Sequence, residues 1–202
     1  FGLAGMQKDT EEMIRGGLLW LANDIHNDIA EMKKDNVRYV SSLTLQYLYT
    51  CMLAGVVLPT QAQEDNEWML SVLKKAVKDR TVFEKALTAT ILNRHGEKSL
   101  AREYVQSLKE WSVYREDMGR YYDTPRAGYT WRDYKIPTEV AAIEAISNIT
   151  PEDIQTVEEM QRWLLQEKRT QSWTTPANTI DAIYAFMLNG QQTGGELQVF
   201  SA

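Results

Sequence analysis

Apolar residues recur along most of this chain at three- and four-residue steps, the spacing that lines one face of a helix. Asp9–Lys34 carries Met13, Leu18, Leu21, Ile25, Ile29 and Met32 in such a stripe, with Asp, Asn and Glu between. Gly16-Gly17 interrupts it and predicts a kink or a helix start. Ser41 or Ser42 is a natural N-cap for Leu43–Ala54, and Gly55 can supply the left-handed residue after its last turn. Leu43, Leu45, Leu48, Cys51, Met52 and Leu53 make that helix apolar nearly all round, which predicts a central, buried position. Pro59 and the polar Gln61–Asp65 read as a connection, and Glu67–Lys78 as an amphipathic helix through Trp68, Leu70, Leu73 and Val77. Thr81 with Glu84 fits a capping box for Val82–Leu92, with Gly96 beyond its end. Lys98–Trp111 is a fifth helix.

Residues 112–135 break the pattern. Tyr114, Tyr121, Tyr122, Tyr129, Trp131 and Tyr134 are spaced around Asp123-Thr-Pro125 and Gly128, which reads as a loop or a short β-hairpin. Helices resume at Pro137–Ile149, Pro151–Lys168 and Pro176–Leu188. Each has Pro in its first turn, where the missing N–H costs nothing, and Thr150 and Thr175 are natural N-caps. The tail from Gly190 reads as frayed. About eight helices with at most one small hairpin make an all-α chain.

One internal echo stands out. Val140, Ala142, Ile143, Ala145 and Ile146 map onto Ile180, Ala182, Ile183, Ala185 and Phe186 at an offset of 40, each set preceded by a Trp (Trp131, Trp173) and a Pro. A repeated pair of helices cannot bury its apolar face alone and stacks on the next pair. The spacing suits both tetratricopeptide-like solenoids and closed α/α toroids. The Gly and Tyr that follow the Trp in tetratricopeptide repeats are missing here.

Composition narrows the function classes. The 202 residues, 44% hydrophobic and 25% charged, form one domain or a large part of one, and 11 Gly with 5 Pro argue against a turn-rich β-sandwich. A formal charge of −6 disfavours nucleic acid or an anionic membrane surface as partner. A single Cys excludes an intramolecular disulfide and a multi-cysteine zinc site, and two His leave little for a histidine metal centre. The longest apolar runs, such as Met52–Leu58, fall far short of the ~20 residues that span a bilayer. The chain opens at Phe1 without initiator Met or signal-type stretch, so it reads as a processed or excised piece whose targeting segment lies outside it.

The candidate chemistry is sparse. His26, among Asn23, Asp24, Asn27 and Asp28, reads as a solvated helix-face residue, and His95 as a ring complementing a helix C-terminus. Cys51 lies in the most apolar helix, where a buried, inert thiol is expected. Glu116, Asp117, Asp123, Asp133 and Glu139 cluster around the aromatic loop, the material a glycoside-cleaving site would need, without a motif that pairs two of them. Arg115, Arg120, Arg126 and Arg132 lie between the aromatics of that loop. Arg and Tyr together suit a recognition surface, so Arg120, Tyr122, Tyr129, Trp131 and Arg132 are the candidate partner or ligand surface. The alternative is Tyr rings and Arg stems closing the end of a helical barrel. The Lys74, Lys75, Lys78, Arg80 run reads as a solvated face. No catalytic, cofactor or metal residue is assigned.

The last third carries something more specific. The run EEMQRWLLQEKRTQSW from Glu158 to Trp173, continued by TTPANTIDAIYAF to Phe186, resembles the thioester-domain region of bacterial alpha-2-macroglobulin-like proteins. Leu43-Thr-Leu-Gln-Tyr-Leu-Tyr49, Ser107-Leu-Lys-Glu-Trp111 with Glu116-Asp-Met-Gly119, and Ile136-Pro-Thr-Glu139 resemble that family too, in the same order along the chain. The resemblance implies a single helical domain over residues 1–202, the later part of an α/α toroid within a larger multidomain protease inhibitor or trap. It implies a periplasmic, cell-envelope or secreted location. The implied partners are other domains of the same chain and target proteases, with neither nucleic acid nor membrane insertion. The family's thioester motif, Cys-x-x-Gln, has no counterpart here: Cys51 is followed by Met52, Leu53 and Ala54. No enzyme activity and no cofactor are therefore expected. An α/α-toroid enzyme acting on carbohydrate, with Glu139 or Asp133 as acid or base and Tyr122, Tyr129 or Trp131 stacking on sugar, is the first rival. A helical-repeat protein-binding scaffold is the second.

Overall fold

The computed structural model describes residues 3–75, 80–123, 135–170 and 176–193. Among these the chain is mostly helical, with eight helices and one two-stranded antiparallel sheet. It divides into two compact units, Phe1–Val77 and Lys78–Ala202, each with its own packing.

The first unit holds α1 (Leu3–Lys34), α2 (Ser42–Ala54) and α3 (Thr60–Leu73). Leu18, Ala22, Ile25 and Ile29 form the buried stripe of α1, whereas Met13 stays exposed. The helix runs without a break through Gly16 and Gly17, where a Cβ would meet open space. The expected kink or start is absent, since nothing there needs glycine's freedom. The Ser41 hydroxyl accepts the Thr44 N–H at 3.1 Å, and Gly55 closes α2 in the left-handed region at φ 59°. The expected burial of α2 on all sides is corrected: Leu45, Tyr47, Leu48 and Cys51 are covered, but Leu43 and Leu53 are exposed. Helix α3 starts seven residues before the expected Glu67, taking in the segment read as a connection. Its buried stripe, Ala62, Asp65, Met69, Val72 and Leu73, contains a charged residue, and that hid the period.

In the second unit the capping box of α4 (Val82–Arg94) is complete: Thr81 N–H donates to Glu84 at 3.0 Å and Glu84 N–H to the Thr81 hydroxyl at 3.3 Å. There follow α5 (Lys98–Trp111), β1 (Val113–Arg115), β2 (Gly119–Tyr121), α6 (Lys135–Ile149), α7 (Ile154–Thr170) and α8 (Pro176–Thr193). The hairpin pairs Val113 with Tyr121, Tyr114 with Arg120 and Arg115 with Gly119. Helix α6 is central: α4 and α5 pack on it, as do α7 and α8, and Ala142, Ile143, Ala145 and Ile146 are fully buried. Thr150 is not the cap of α7. Its hydroxyl bonds back to Ile146 O, and Asp153, bonded to Thr156, opens the helix instead. Thr175 lies outside the described residues.

Trp163, Leu164, Ala182 and Ala185 join the expected core, but Ile180 and Ile183 do not; they are 66% and 53% exposed. The Tyr184 hydroxyl reaches Glu144 Oε1 at 3.2 Å, joining α8 to α6 within the second unit.

Candidate functional site

Two of the five candidate surface residues lie in the described chain, Arg120 and Tyr122; Tyr129, Trp131 and Arg132 lie outside it, as does Asp133. Arg120 on β2 donates from Nε to Glu159 Oε2 on α7 at 2.8 Å and from Nη1 to the Ser112 hydroxyl at 2.9 Å. Its guanidinium lies 5.7 Å from the centre of the Tyr114 ring. Glu159 also accepts from Gln155 on Oε1 at 2.9 Å, so both carboxylate oxygens are engaged. Beside it Tyr121 stacks on Trp163 with ring centres 5.9 Å apart. The hairpin is thus pinned to α7 by a charge-assisted bond and an aromatic stack.

Glycine makes that approach close. Gly119 sits at φ +94°, and a Cβ there would run into the Glu159 carbonyl, 3.1 Å from Trp163 N and 3.2 Å from Arg162 Cβ.

Underneath lies Glu139, on α6 and 1% exposed. Burial holds its carboxyl well above the usual carboxylate range, against the opposing pull of the Tyr122 backbone N–H and the Arg120 charge. Among the described residues its Oε1 finds no hydrogen-bond partner. A raised folded-state pKa means stability that is fully present below the unfolded carboxyl's pKa and lost as pH rises through the folded one. From about pH 4.5 upward, Glu139 should therefore reduce stability by about 1.4 kcal/mol per pH unit until it ionises in the folded state. Glu139→Gln should flatten that part of the profile, with urea midpoints of the variant rising relative to the parent as pH increases. The opposite trend would show that Glu139 is held as an anion.

The other described acidic candidates lie at the surface. Asp117 is exposed and engages Arg115 at 3.0 Å across the hairpin turn, and Glu116 and Asp123 are exposed. With Arg120 neutralised by Glu159 and Tyr122 only 5% exposed, the described part of the candidate surface is a clasp between hairpin and helices.

Three polar features escaped sequence reasoning, the first being Arg80, which is not part of a solvated face but 6% exposed. His26 is not simply solvated: its Nδ1 lies 2.8 Å from the buried Asp65 carboxylate, which joins α1 to α3. Lys85, 4% exposed on α4, donates to the Ser107 hydroxyl at 2.9 Å and lies 4.3 Å from the Trp111 ring centre. Ser107 and Trp111 are four apart on α5, a spacing that could have marked one receiving face.

The comparisons with known proteins add no relative. No protein-family model, curated protein or solved structure matches this chain. Among the described residues no group of three or more His, Cys, Asp and Glu could hold a metal ion, and no helix is long and apolar enough to cross a membrane.

Cys51 is a free thiol, 8% exposed, and burial pushes its pKa up against weaker opposing bonds from Tyr47 and Asn66. Thiolate chemistry is disfavoured in such surroundings. The native mass should equal the sequence mass, and alkylation should become fast only on unfolding. A mass short by one ammonia, or methylamine incorporation at Cys51, would contradict this.

Proposed function

We propose that this chain is a non-catalytic helical segment of a bacterial alpha-2-macroglobulin-like protease inhibitor or trap, a stretch of α/α toroid serving as scaffold for the other domains. The observation that carries the reading is the stacking of two repeated helices, α6 on α8, with Glu144 and Tyr184 bonded at a sequence distance of forty. A helix pair that stacks on its own repeat is a unit of an array, and arrays present surfaces to partners. The family assignment rests on the resemblance of residues 158–186 to the thioester-domain region of those proteins. Within that stretch Trp163 and Leu164 are buried, so the run supplies core as well as sequence likeness. Target proteases, neighbouring domains of a larger chain and a cell-envelope or secreted setting follow from the same resemblance.

The carbohydrate-enzyme reading has one observation in its favour. Burial raises the carboxyl of Glu139 above the usual carboxylate range, the direction a general acid needs. At 1% exposure, however, it has no route to a sugar among the described residues. The genomic sequence on either side of this segment separates the two readings. Flanking β-rich macroglobulin domains support the protease trap, and a flanking carbohydrate-binding module with no such domains overturns it.

A further inference from the structure

The end of the β1–β2 hairpin comes down on Glu139, the 1% exposed carboxyl of the central helix α6. Tyr122, one residue past β2 and itself buried, donates its backbone N–H to that carboxyl. Among the described residues Glu139 Oε1 has no hydrogen-bond partner. Such a seat suits a neutral acid better than an anion, whose charge would stand in the interior with one oxygen bare.

The surrounding charges agree. Arg120 favours the ionised form of Glu139, but its Nε and Nη1 are engaged by Glu159 and Ser112. From α7, Glu167 opposes ionisation. The other neighbours of α6 direct charged and titratable groups elsewhere. Lys85 and Glu84 of α4 bond to Ser107 and Thr81, Lys109 and Arg102 of α5 to Asp153 and Glu152, and Tyr184 of α8 to Glu144. The side-chain ties of the hairpin, by contrast, run to α7: the Arg120–Glu159 bond and the stack of Tyr121 on Trp163.

We propose that the β1–β2 hairpin is a proton-locked lid, which closes over Glu139 only while that carboxyl is neutral and lifts from α7 as it ionises. Closing and protonation are one event. Glu139 takes a proton from water as the lid seats, and lifting removes the Tyr122 N–H, admits water and returns the proton. Above the ordinary carboxyl pKa of about 4.5 each lifting event releases one proton. The equilibrium constant for lifting therefore rises tenfold per pH unit, until Glu139 ionises beneath the closed lid.

Hydrogen exchange of the whole chain, read by mass spectrometry from about pH 5 to about pH 8, tests this. Protection of peptides spanning residues 113–122 is taken after correction for the intrinsic pH dependence of exchange. In the parent this protection should lie below that of residues 86–92 in α4 and fall about tenfold per pH unit. Glu139→Gln keeps the size and neutrality of the acid, and should flatten the slope. Glu159→Gln should lower hairpin protection at every pH and leave the slope in place. A parent hairpin without the slope overturns the proposal, as does a slope that persists in Glu139→Gln. So does hairpin protection equal to that of α4, since the hairpin then opens only with the whole unit. Unchanged protection in Glu159→Gln also contradicts it, because the lid is then not held by that bond.

Discussion

Gly119→Ala is expected to destabilise the second unit by about 3 kcal/mol or more, a large effect for one added methyl group. Two independent penalties combine. A side chain at φ +94° is strained whatever the space around it, and here the space is taken by the backbone of α7 at Glu159 and Trp163. Neither can be relieved by a rotamer change, because the obstructing atoms are main chain. The hairpin must lift, and with it go the Arg120–Glu159 bond and the stack of Tyr121 on Trp163. In urea the midpoint should fall by about 1–2 M. Asp117→Ala, two residues away in an exposed ion pair, should leave it nearly unchanged. Equal midpoints for Gly119→Ala and the parent would show that the hairpin does not rest on α7.

Ala182→Arg should cost several kcal/mol, since it places a charge and a long side chain where Ala182 is fully buried between helices. Ala182→Leu separates the two causes: it overfills the same site without charge and should cost about 1–3 kcal/mol. Ile183→Arg, on the next residue but 53% exposed, should stay within about 0.5 kcal/mol of the parent. The contrast between neighbouring positions identifies the face that α8 turns inward. If Ala182→Arg unfolds at the same urea concentration as the parent, the stacked-repeat arrangement is wrong.

Local signals in the sequence carried most of the helical assignment. Ser41, Gly55, Thr81 with Glu84, and Gly96 act over three or four residues, and the structure bears each of them out. Failures came where a distant partner decides. Asp65 sits in a buried stripe with a hydrogen-bond partner, His26, 39 residues away, so the period of α3 looked broken at its start. Glu139 stood out only as one of several acids near an aromatic loop; its burial is made by α6 lying at the centre of the unit. Gly119 lay inside the region read as loop or hairpin, but the lack of room for a Cβ there comes from α7, 40 residues on. Ile180 and Ile183 were expected in the core by analogy with Val140 and Ile143. The analogy holds for the sequence, but both side chains are more than half exposed in the structure.

The central claim is that this helical segment serves a protease trap without chemistry of its own. The most direct measurement takes the whole gene product, incubates it with an endopeptidase, and follows cleavage of a large protein and of a short peptide in parallel. A trap is expected to suppress the first and spare the second, while residues 1–202 alone change neither rate. Equal cleavage of both substrates with and without the whole gene product would contradict the account.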